Sequence, residues 1–191
     1  DLRLVLSDFS VGMLDATEAA LGPTPPAAKF IACALPNLPF DDGVFDLVVA
    51  NHMLYHLPDR VEGVTEIRRV LGRGGALVAV TNGRDHLREI KDLMREFGID
   101  PGNVSDSFTL ENGEEQLHRA FENVRRDDYE NALRVSDPDL LIAYIASLGS
   151  PAREVVEARH QEMRAVIDAC IARDGTFHVV KSTGLFVARN E

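Results

Sequence analysis

Cysteine is scarce in this chain of 191 residues, and so are long hydrophobic runs. The only two cysteines, Cys33 and Cys170, lie far apart, which excludes a disulfide-stapled scaffold and favours a reducing compartment. The longest apolar runs, such as residues 76–80, fall far short of the roughly 20 residues that a membrane helix needs. No signal-peptide pattern opens the chain. We therefore expect a cytoplasmic protein without a membrane span.

Positive charge is also in short supply. The chain carries 20 lysines and arginines against 31 aspartates and glutamates, a formal net charge of -11. Both halves of the sequence are acidic, so no basic stripe is available to hold phosphate groups or anionic lipid. We expect neither nucleic acid nor a membrane surface as a partner.

Several catalytic signatures are missing as well. The sequence has no Gly-x-Ser-x-Gly elbow and no phosphate-binding loop. Its glycine-rich stretch, residues 72–75, lies between a predicted helix end and a predicted strand, which favours a turn. Of the six histidines, only His52 and His56 have a spacing suited to zinc on a helix, and no glutamate lies between them. We predict no metal site.

The residues that are present suit one ordinary globular domain. Apolar residues make up 45% of the chain and charged residues 27%, which excludes a disordered or fibrous protein. The sequence contains neither an internal repeat nor a low-complexity tract. We therefore expect residues 1–191 to form a single domain.

The first 82 residues alternate between strand and helix patterns. Ser10 is a predicted N-cap, Gly22 ends the helix that follows, and a Pro-rich linker spans Pro23 to Pro26. Strands that alternate with helices at this spacing predict an α/β fold with a mostly parallel sheet and right-handed crossovers. The predicted strands are residues 2–8, 29–33, 44–50 and 76–81, and the predicted helices are residues 11–21 and 60–71.

The pattern changes after the fourth predicted strand. A helix is predicted over residues 85–97, and a second is predicted to be capped by Asn112 with Glu115 at its third position. Residues 124–135 then alternate as an exposed strand, which would be able to pair across a homodimer.

The last third of the chain is mainly helical. One helix is predicted to open at Ser136 and a long amphipathic one at Ser150, before a bent strand or hairpin over residues 177–188. We interpret residues 136–175 as a helical insert of the same domain, without a core of its own. A lid is the natural role of such an insert.

Three segments carry a family resemblance. Residues 4–14 (LVLSDFSVGML), 38–48 (LPFDDGVFDLV) and 69–75 (RVLGRGG) resemble successive motifs of the class I S-adenosylmethionine-dependent methyltransferases. The most similar branch is the small-molecule group that includes the ubiquinone and menaquinone methyltransferases. The resemblance implies a Rossmann-like sheet with an antiparallel last strand, S-adenosylmethionine as cofactor and a small-molecule acceptor.

The resemblance also assigns cofactor-binding positions. Asp8, at the end of the first predicted strand, would accept the two ribose hydroxyls, although an Asp here can also simply cap the next helix. Phe9 would stack on the adenine or ribose, with a place in the core as the alternative. Ala34 stands where the family often has an acid, which leaves the backbone of Ala34 and Leu35 to meet the base edge.

The acceptor side is predicted after the third strand. The resemblance places Asn51 against the amino acid part of the cofactor and makes His52, Tyr55 and His56 candidate acceptor-site residues, any of which can take a proton. Each of the three can instead be an ordinary surface or core group. Methyl transfer needs alignment more than chemistry from the protein, so the catalytic residue stays unassigned.

One family element is missing. The glycine-rich loop lies roughly 20 residues ahead of the ribose-binding acid, whereas only seven residues precede Asp8. The resemblance places the missing first strand between the strands that end at Asp8 and Ala50, so we expect an N-terminally incomplete domain. A non-catalytic methyltransferase-like binding or regulatory protein is the main alternative, and a nicotinamide-linked oxidoreductase is a distant third.

Overall fold

The computed structural model describes residues 2–22 and 28–191. The predicted linker from Pro23 to Pro26 lies outside the described residues. The six helices of the described residues, leaving out two short 3-10 turns, are α1 (Val11–Leu21), α2 (Arg60–Val70), α3 (Arg88–Glu96), α4 (Gly113–Leu117), α5 (Pro138–Ala146) and α6 (Ser150–Asp174). The strands are β1 (Leu4–Asp8), β2 (Ala28–Ala32), β3 (Phe45–Asn51), β4 (Leu71–Asn82), β5 (Asn123–Val135) and β6 (Phe177–Arg189).

The strands form two sheets. One is the parallel pair β1-β2, and the other has the order β3-β4-β6-β5, in which β3 and β4 are parallel and β6 is antiparallel to both of its neighbours. The α/β class and the antiparallel last strand are confirmed, and β6 is one long strand rather than a hairpin. Among the described residues no strand pairs β1 with β3, and these two strands belong to separate sheets.

Helix starts follow the predicted caps in part. Ser10 caps α1, because its Oγ accepts a hydrogen bond from the backbone N–H of Met13. The cap of α5 is Asp137 and not Ser136, since the Asp137 carboxylate accepts from the N–H of the first helical turn. Asn112 is the N-cap residue of α4, as predicted, but the capping box is wrong, because the Asn112 side chain accepts instead from Thr109 N–H, on the preceding turn.

The glycine-rich stretch is part of a strand. β4 begins at Leu71, five residues earlier than predicted, and its pairing with β3 shifts register between Phe45 and Leu47. A Cβ on Gly75 would stand 2.8 Å from the carbonyl oxygen of Gly72 and 3.1 Å from that of Phe45. Glycine is therefore required here by the close approach of the Gly72 carbonyl within β4 and of the neighbouring strand β3, rather than by a turn.

Buried side chains form two clusters. The first lies between the four-stranded sheet, α2 and α4. The second joins α5 and α6 to α3 and the beginning of β6, with Ile145, Met163 and Ile167 fully buried. The two helices of residues 136–175 thus share a buried cluster with α3 and β6, and their interpretation as an insert of the same domain stays a prediction. No helix among the described residues is long and apolar enough to cross a membrane.

Candidate functional site

Asp8 and Phe9 lie where β1 ends. Asp8 is half-buried, and its Oδ1 accepts a hydrogen bond from the N–H of Ser10 at 2.8 Å, which supports the turn before α1 while Ser10 itself caps the helix. Phe9 is 82% exposed, so the alternative that places it in the core is wrong. A carboxylate beside an exposed aromatic ring is suited to a diol joined to a flat heterocycle.

The segment after β2 is a tight turn. The carbonyl oxygen of Ala34 accepts the N–H of Asn37 at 3.1 Å, and Ala34 itself is exposed. Leu35 is half-buried and packs against the first cluster. The Ala34 carbonyl is thus already bonded within the turn, and the part that these two residues play in binding a base stays a prediction.

The loop of the second motif is fixed by an ion-pair network from α2. Arg69 donates to the carbonyl oxygen of Phe40 at 2.8 Å and to the carboxylate of Asp42 at 2.7 Å. Glu66 pairs with Arg69 and accepts the N–H of Leu38 at 2.9 Å. The hydrogen bond from Arg69 lowers the pKa of Glu66, and together these contacts hold the loop that leads into β3.

Asn51 and His52 lie where β3 ends. Asn51 is the last residue of the strand, and His52 follows it with a φ of 49°, a left-handed conformation that is uncommon outside glycine. The backbone N–H of His52 donates to the carbonyl oxygen of Val80 on β4 at 3.0 Å. Partial loss of hydration lowers the pKa of the His52 imidazole, which favours its neutral form.

Tyr55 and His56 form a separate pair one turn further on. Their ring centroids are 4.6 Å apart with the planes tilted by 56°. Tyr55 is half-buried against the first cluster and burial raises its pKa, whereas His56 is exposed. Tyr55 is therefore a neutral phenol that contributes to packing, and its role toward an acceptor stays a prediction, as does that of His56.

A polar network that the sequence did not predict lies where β4 ends. Asn82 ends that strand and is paired with Thr183 of β6, whose hydroxyl donates to the Asn82 Oδ1 at 3.1 Å. The Thr183 oxygen is 3.3 Å from Nδ1 of His86, and the same ring nitrogen is 3.0 Å from the carbonyl oxygen of Ser182. His86 is half-buried, which lowers its pKa, and its charge interacts with that of His52.

The backbone around His86 is held down on β6. Gly83 N–H donates to the carbonyl oxygen of Ser182 at 3.0 Å, and Leu87 N–H donates to that of Val180 at 2.9 Å. Leu87 has a φ of 57°, and Val180 N–H donates in turn to the Glu89 carboxylate at 2.8 Å. These bonds on both sides of His86 fix the position of its imidazole ring.

A cavity of about 480 Å³ opens beside His86. Its walls come from the beginning of α3, the end of β5 and the helix α5, which belongs to the predicted lid-like insert. Most of its lining is apolar, and the charged side chains of Lys181, Arg134 and Asp137 also reach it. The volume and the apolar lining are typical of a small-molecule site.

The structure brings few of the predicted residues into contact. The rings of Tyr55 and His56 lie side by side, whereas His52 interacts electrostatically with His86, which was not predicted. In the part of the chain that the structure describes, no hydrogen bond, ion pair or ring contact joins Asp8 or Phe9 to residues 51–56. The same part contains no cluster of three histidine, cysteine or acidic side chains able to hold a metal ion.

The comparisons with known proteins agree on one family. Residues 2–79 match the family model described as a methyltransferase domain. Demethylmenaquinone methyltransferase of Mycolicibacterium gilvum is 42% identical over 74 residues, which are 39% of this chain and 30% of that protein. Residues 2–79, which contain all three motifs, are thus similar to methyltransferase domains. The resemblance predicted from the three motifs is therefore confirmed.

Solved structures support the methyltransferase fold over nearly the whole chain. A protein of Anabaena variabilis, described as a methyltransferase of an antibiotic biosynthesis pathway, superposes with a TM-score of 0.66 at 15% identity and covers 98% of this chain and 81% of that one. Phosphoethanolamine N-methyltransferase 2 of Haemonchus contortus, solved with S-adenosylhomocysteine, gives 0.54 at 16% identity, over 99% of this chain and 43% of that one. By contrast, the chain aligns with less than a third of the curated Mycolicibacterium relative.

Proposed function

We propose that this chain transfers a methyl group from S-adenosylmethionine to a small-molecule acceptor. The observation that carries the proposal is the pairing of Asp8, a half-buried carboxylate, with the exposed ring of Phe9 where β1 ends. The carboxyl ends of strands are where open α/β sheets bind nucleotides. The match of residues 2–79 to a methyltransferase domain supports the same chemistry.

The residues present fit most of the cofactor. Asp8 would accept the ribose hydroxyls, Phe9 would stack on the adenine or ribose, and Asn51 would contact the amino acid part. Ala34 supplies no carboxylate for the adenine amine, so selectivity for the base would come from the backbone around Ala34 and Leu35. The cofactor supplies an activated methyl group, and the protein's task is to align the two reactants and exclude water.

The acceptor is proposed to be a small organic molecule. The net charge of -11 disfavours nucleic acid, and the cavity of about 480 Å³ under α5 has the size of a small-molecule pocket. The two relatives named above act on, or were solved with, small molecules, namely demethylmenaquinone and phosphomonomethylethanolamine. On this proposal residues 136–175 act as a lid within a single domain.

The test is binding of S-adenosylhomocysteine, measured by titration calorimetry. Replacing Asp8 with Asn should weaken binding by about tenfold or more, because a charge-assisted bond is worth about 1.5–3 kcal/mol. Asp15→Asn, a change of the same kind on the exposed face of α1, serves as the matched control and should bind like the parent chain. Absence of binding by the parent chain, or equal affinities for all three proteins, would contradict the proposal.

The absence of an acid at Ala34 favours one other function, a methyltransferase-like protein that binds or regulates without catalysis. Binding of S-adenosylhomocysteine separates the two functions, since only the enzyme requires it.

Two further predictions, on oligomeric state and on location, stay open. A homodimer would pair through β5, the edge strand of its sheet, and a cytoplasmic location agrees with the two unpaired cysteines.

A further inference from the structure

We propose that His86 takes the proton of the methyl acceptor, and that the cavity beside it binds an acceptor with a flat apolar body and one protic nucleophile, a hydroxyl or an N–H group. This inference rests on the proposed methyl transfer. It assigns a residue that the three motifs do not contain, and it narrows the class of acceptor.

The first step of the argument is the tautomer of His86. Its Nδ1 is 3.0 Å from the carbonyl oxygen of Ser182, and a carbonyl oxygen can only accept a hydrogen bond. Nδ1 must therefore carry the proton. In the neutral ring the lone pair is then on Nε2, at the other side of the imidazole, where it is able to accept a proton.

The second step is the way in which that tautomer is enforced. The Thr183 hydroxyl donates to Oδ1 of Asn82, which leaves its oxygen as a further acceptor 3.3 Å from the His86 Nδ1. Two acceptors therefore face Nδ1 and none of the neighbouring groups donates to it. This arrangement orients the imidazole in the manner by which enzymes fix a general base.

The third step is the charge of His86. Burial lowers its pKa, and the positive charges of Lys91 and Lys181 and the neighbouring His52 act in the same direction, whereas the bond to the Ser182 carbonyl opposes them. The acidic Glu89 on the same turn is engaged by the N–H of Val180. The neutral, proton-accepting form of His86 is favoured at neutral pH.

The fourth step is the shape and chemistry of the cavity. His86 shares its lining with apolar side chains from three elements, namely Leu87 and Ile90 of α3, Leu133 of β5, and Leu140 and Tyr144 of α5. Leu133, Leu140 and Tyr144 are between 41% and 67% exposed, so an apolar ligand would cover them. One imidazole acceptor beside apolar walls fits an aromatic or similar flat body that carries a single donor.

The chemical step balances with these groups. The acceptor's oxygen or nitrogen forms a bond to the methyl carbon, the methyl–sulfur bond breaks, and its electron pair stays on sulfur. The proton of the acceptor passes to Nε2 of His86, which becomes an imidazolium ion and later returns the proton to water.

The experiment uses two probes with the same ring system, namely 1-naphthol, whose hydroxyl can donate a hydrogen bond, and its methyl ether 1-methoxynaphthalene, which cannot. Binding of each to the chain is followed by naphthalene fluorescence at pH 7.5. We expect 1-naphthol to bind about tenfold more tightly than the ether, because only the hydroxyl can donate to His86. Equal affinities, or no binding of either probe, would overturn the proposal.

The variant His86→Asn separates a catalytic contact from a structural one. The Asn amide can still donate to the Ser182 carbonyl, but it has no atom in the place of Nε2. We expect the preference for naphthol to disappear while the affinity for the ether and the melting temperature stay within error of the parent chain. A variant that keeps the preference would refute the role of His86.

Two controls keep this test independent of the proposed function. His178→Asn, an exposed histidine at the beginning of β6, should leave both probe affinities unchanged. Binding of S-adenosylhomocysteine is measured on the same proteins and should be unaffected by His86→Asn. If the parent chain prefers naphthol but does not bind S-adenosylhomocysteine, the proposed methyl transfer is refuted and the proposed His86 site is retained. If the parent chain binds S-adenosylhomocysteine but shows no preference for naphthol, only the His86 site is refuted.

Discussion

Residues 2–53 and residues 54–191 are built differently. The first part contains two of the three motifs and all of the proposed cofactor contacts, yet among its described residues only Leu14 and Ala50 are buried hydrophobic side chains. The second part holds nearly all of both buried clusters, although the family model ends at residue 79. The segment with the most recognisable motifs is therefore the one that carries the proposed cofactor contacts, whereas most of the buried packing lies in the rest of the chain.

The two neighbouring strands β3 and β4 show the contrast most directly. In β4, alternate residues such as Leu77 and Ala79 are fully buried between the helices and the sheet. In β3, Leu47 and Val49 are 53% and 51% exposed, although both strands have similar apolar content. The exposure of a side chain in these strands is therefore set by the helices and strands that pack against it, and not by the amino-acid composition of the strand.

The largest expected effect on stability comes from truncating the buried leucine of β4 to alanine, with the exposed leucine of β3 as the matched comparison. Leu77→Ala should cost about 2–5 kcal/mol, because it removes a fully buried side chain and leaves a cavity. Leu47→Ala, the matched change on the paired strand, should stay within about 0.5 kcal/mol. Urea unfolding monitored by circular dichroism measures both. A large loss of unfolding free energy in Leu47→Ala would contradict the contrast between the two strands, since it would show that β3 is covered in the folded protein.

Two glycine substitutions test whether the backbone is more tightly packed in β4 than in α1. Gly75→Ala should destabilise the chain by about 1–3 kcal/mol, because its Cβ would press on the carbonyl oxygen of Gly72. Gly12→Ala lies in helix α1, where the nearest atom to a new Cβ is 3.9 Å away, so it should be neutral or stabilising by up to about 1 kcal/mol. The melting temperatures of the two variants and the parent chain test this expectation. Destabilisation by both substitutions would contradict it.

Two threonines test the same contrast with one hydrogen bond each. The buried Thr81 hydroxyl donates to the carbonyl oxygen of Phe108 at 2.7 Å, and Thr81→Val leaves that oxygen without this partner at a cost of about 1–2 kcal/mol. Thr17 makes an equally short bond to the carbonyl oxygen of Met13 within α1, but in contact with water. Thr17→Val should change the unfolding free energy by only a few tenths of a kcal/mol. Equal losses of unfolding free energy in Thr81→Val and Thr17→Val, measured by denaturant unfolding, would mean that burial does not determine the contribution of these hydrogen bonds to stability.

Periodicity and motifs predicted most of the fold. The α/β class, the cap of α1 by Ser10 and the positions of all the strands were accessible because they depend on local pattern. The early start of β4 was not, since residues 72–75 look like a turn until the close approach of β3 is known. The second cluster was also missed, because it joins α3 to helices that follow some 50 residues later.

The candidate site was predictable only where it is local in sequence. Asp8 and Phe9 lie at the end of β1, and Asn51 and His52 lie at the end of β3. The family resemblance assigned all four from these local positions. The network around His86 depends on the register of β4 with β6, in which Asn82 meets a residue about 100 positions away. The one available signal was that Asn82 and His86 follow the end of a predicted strand, and the sequence analysis did not use it.

The smallest expected effect concerns pH and the loop of the second motif. The hydrogen bond from Arg69 lowers the folded pKa of Glu66 below its ordinary value of 4.5. Because the folded state binds the proton less readily than the unfolded state, this pair contributes fully above pH 4.5, and the contribution is lost as the pH falls through the lowered value. The difference in urea midpoint between the parent chain and Glu66→Gln should therefore be visible at pH 7 and shrink below about pH 4.5. Glu18→Gln removes the same charge from α1, where the described residues form no ion pair with it, and it serves as the matched control, with a urea midpoint close to that of the parent chain at pH 7. A Glu66→Gln difference that persists unchanged at acid pH would show that the loop is held by packing rather than by this ion pair.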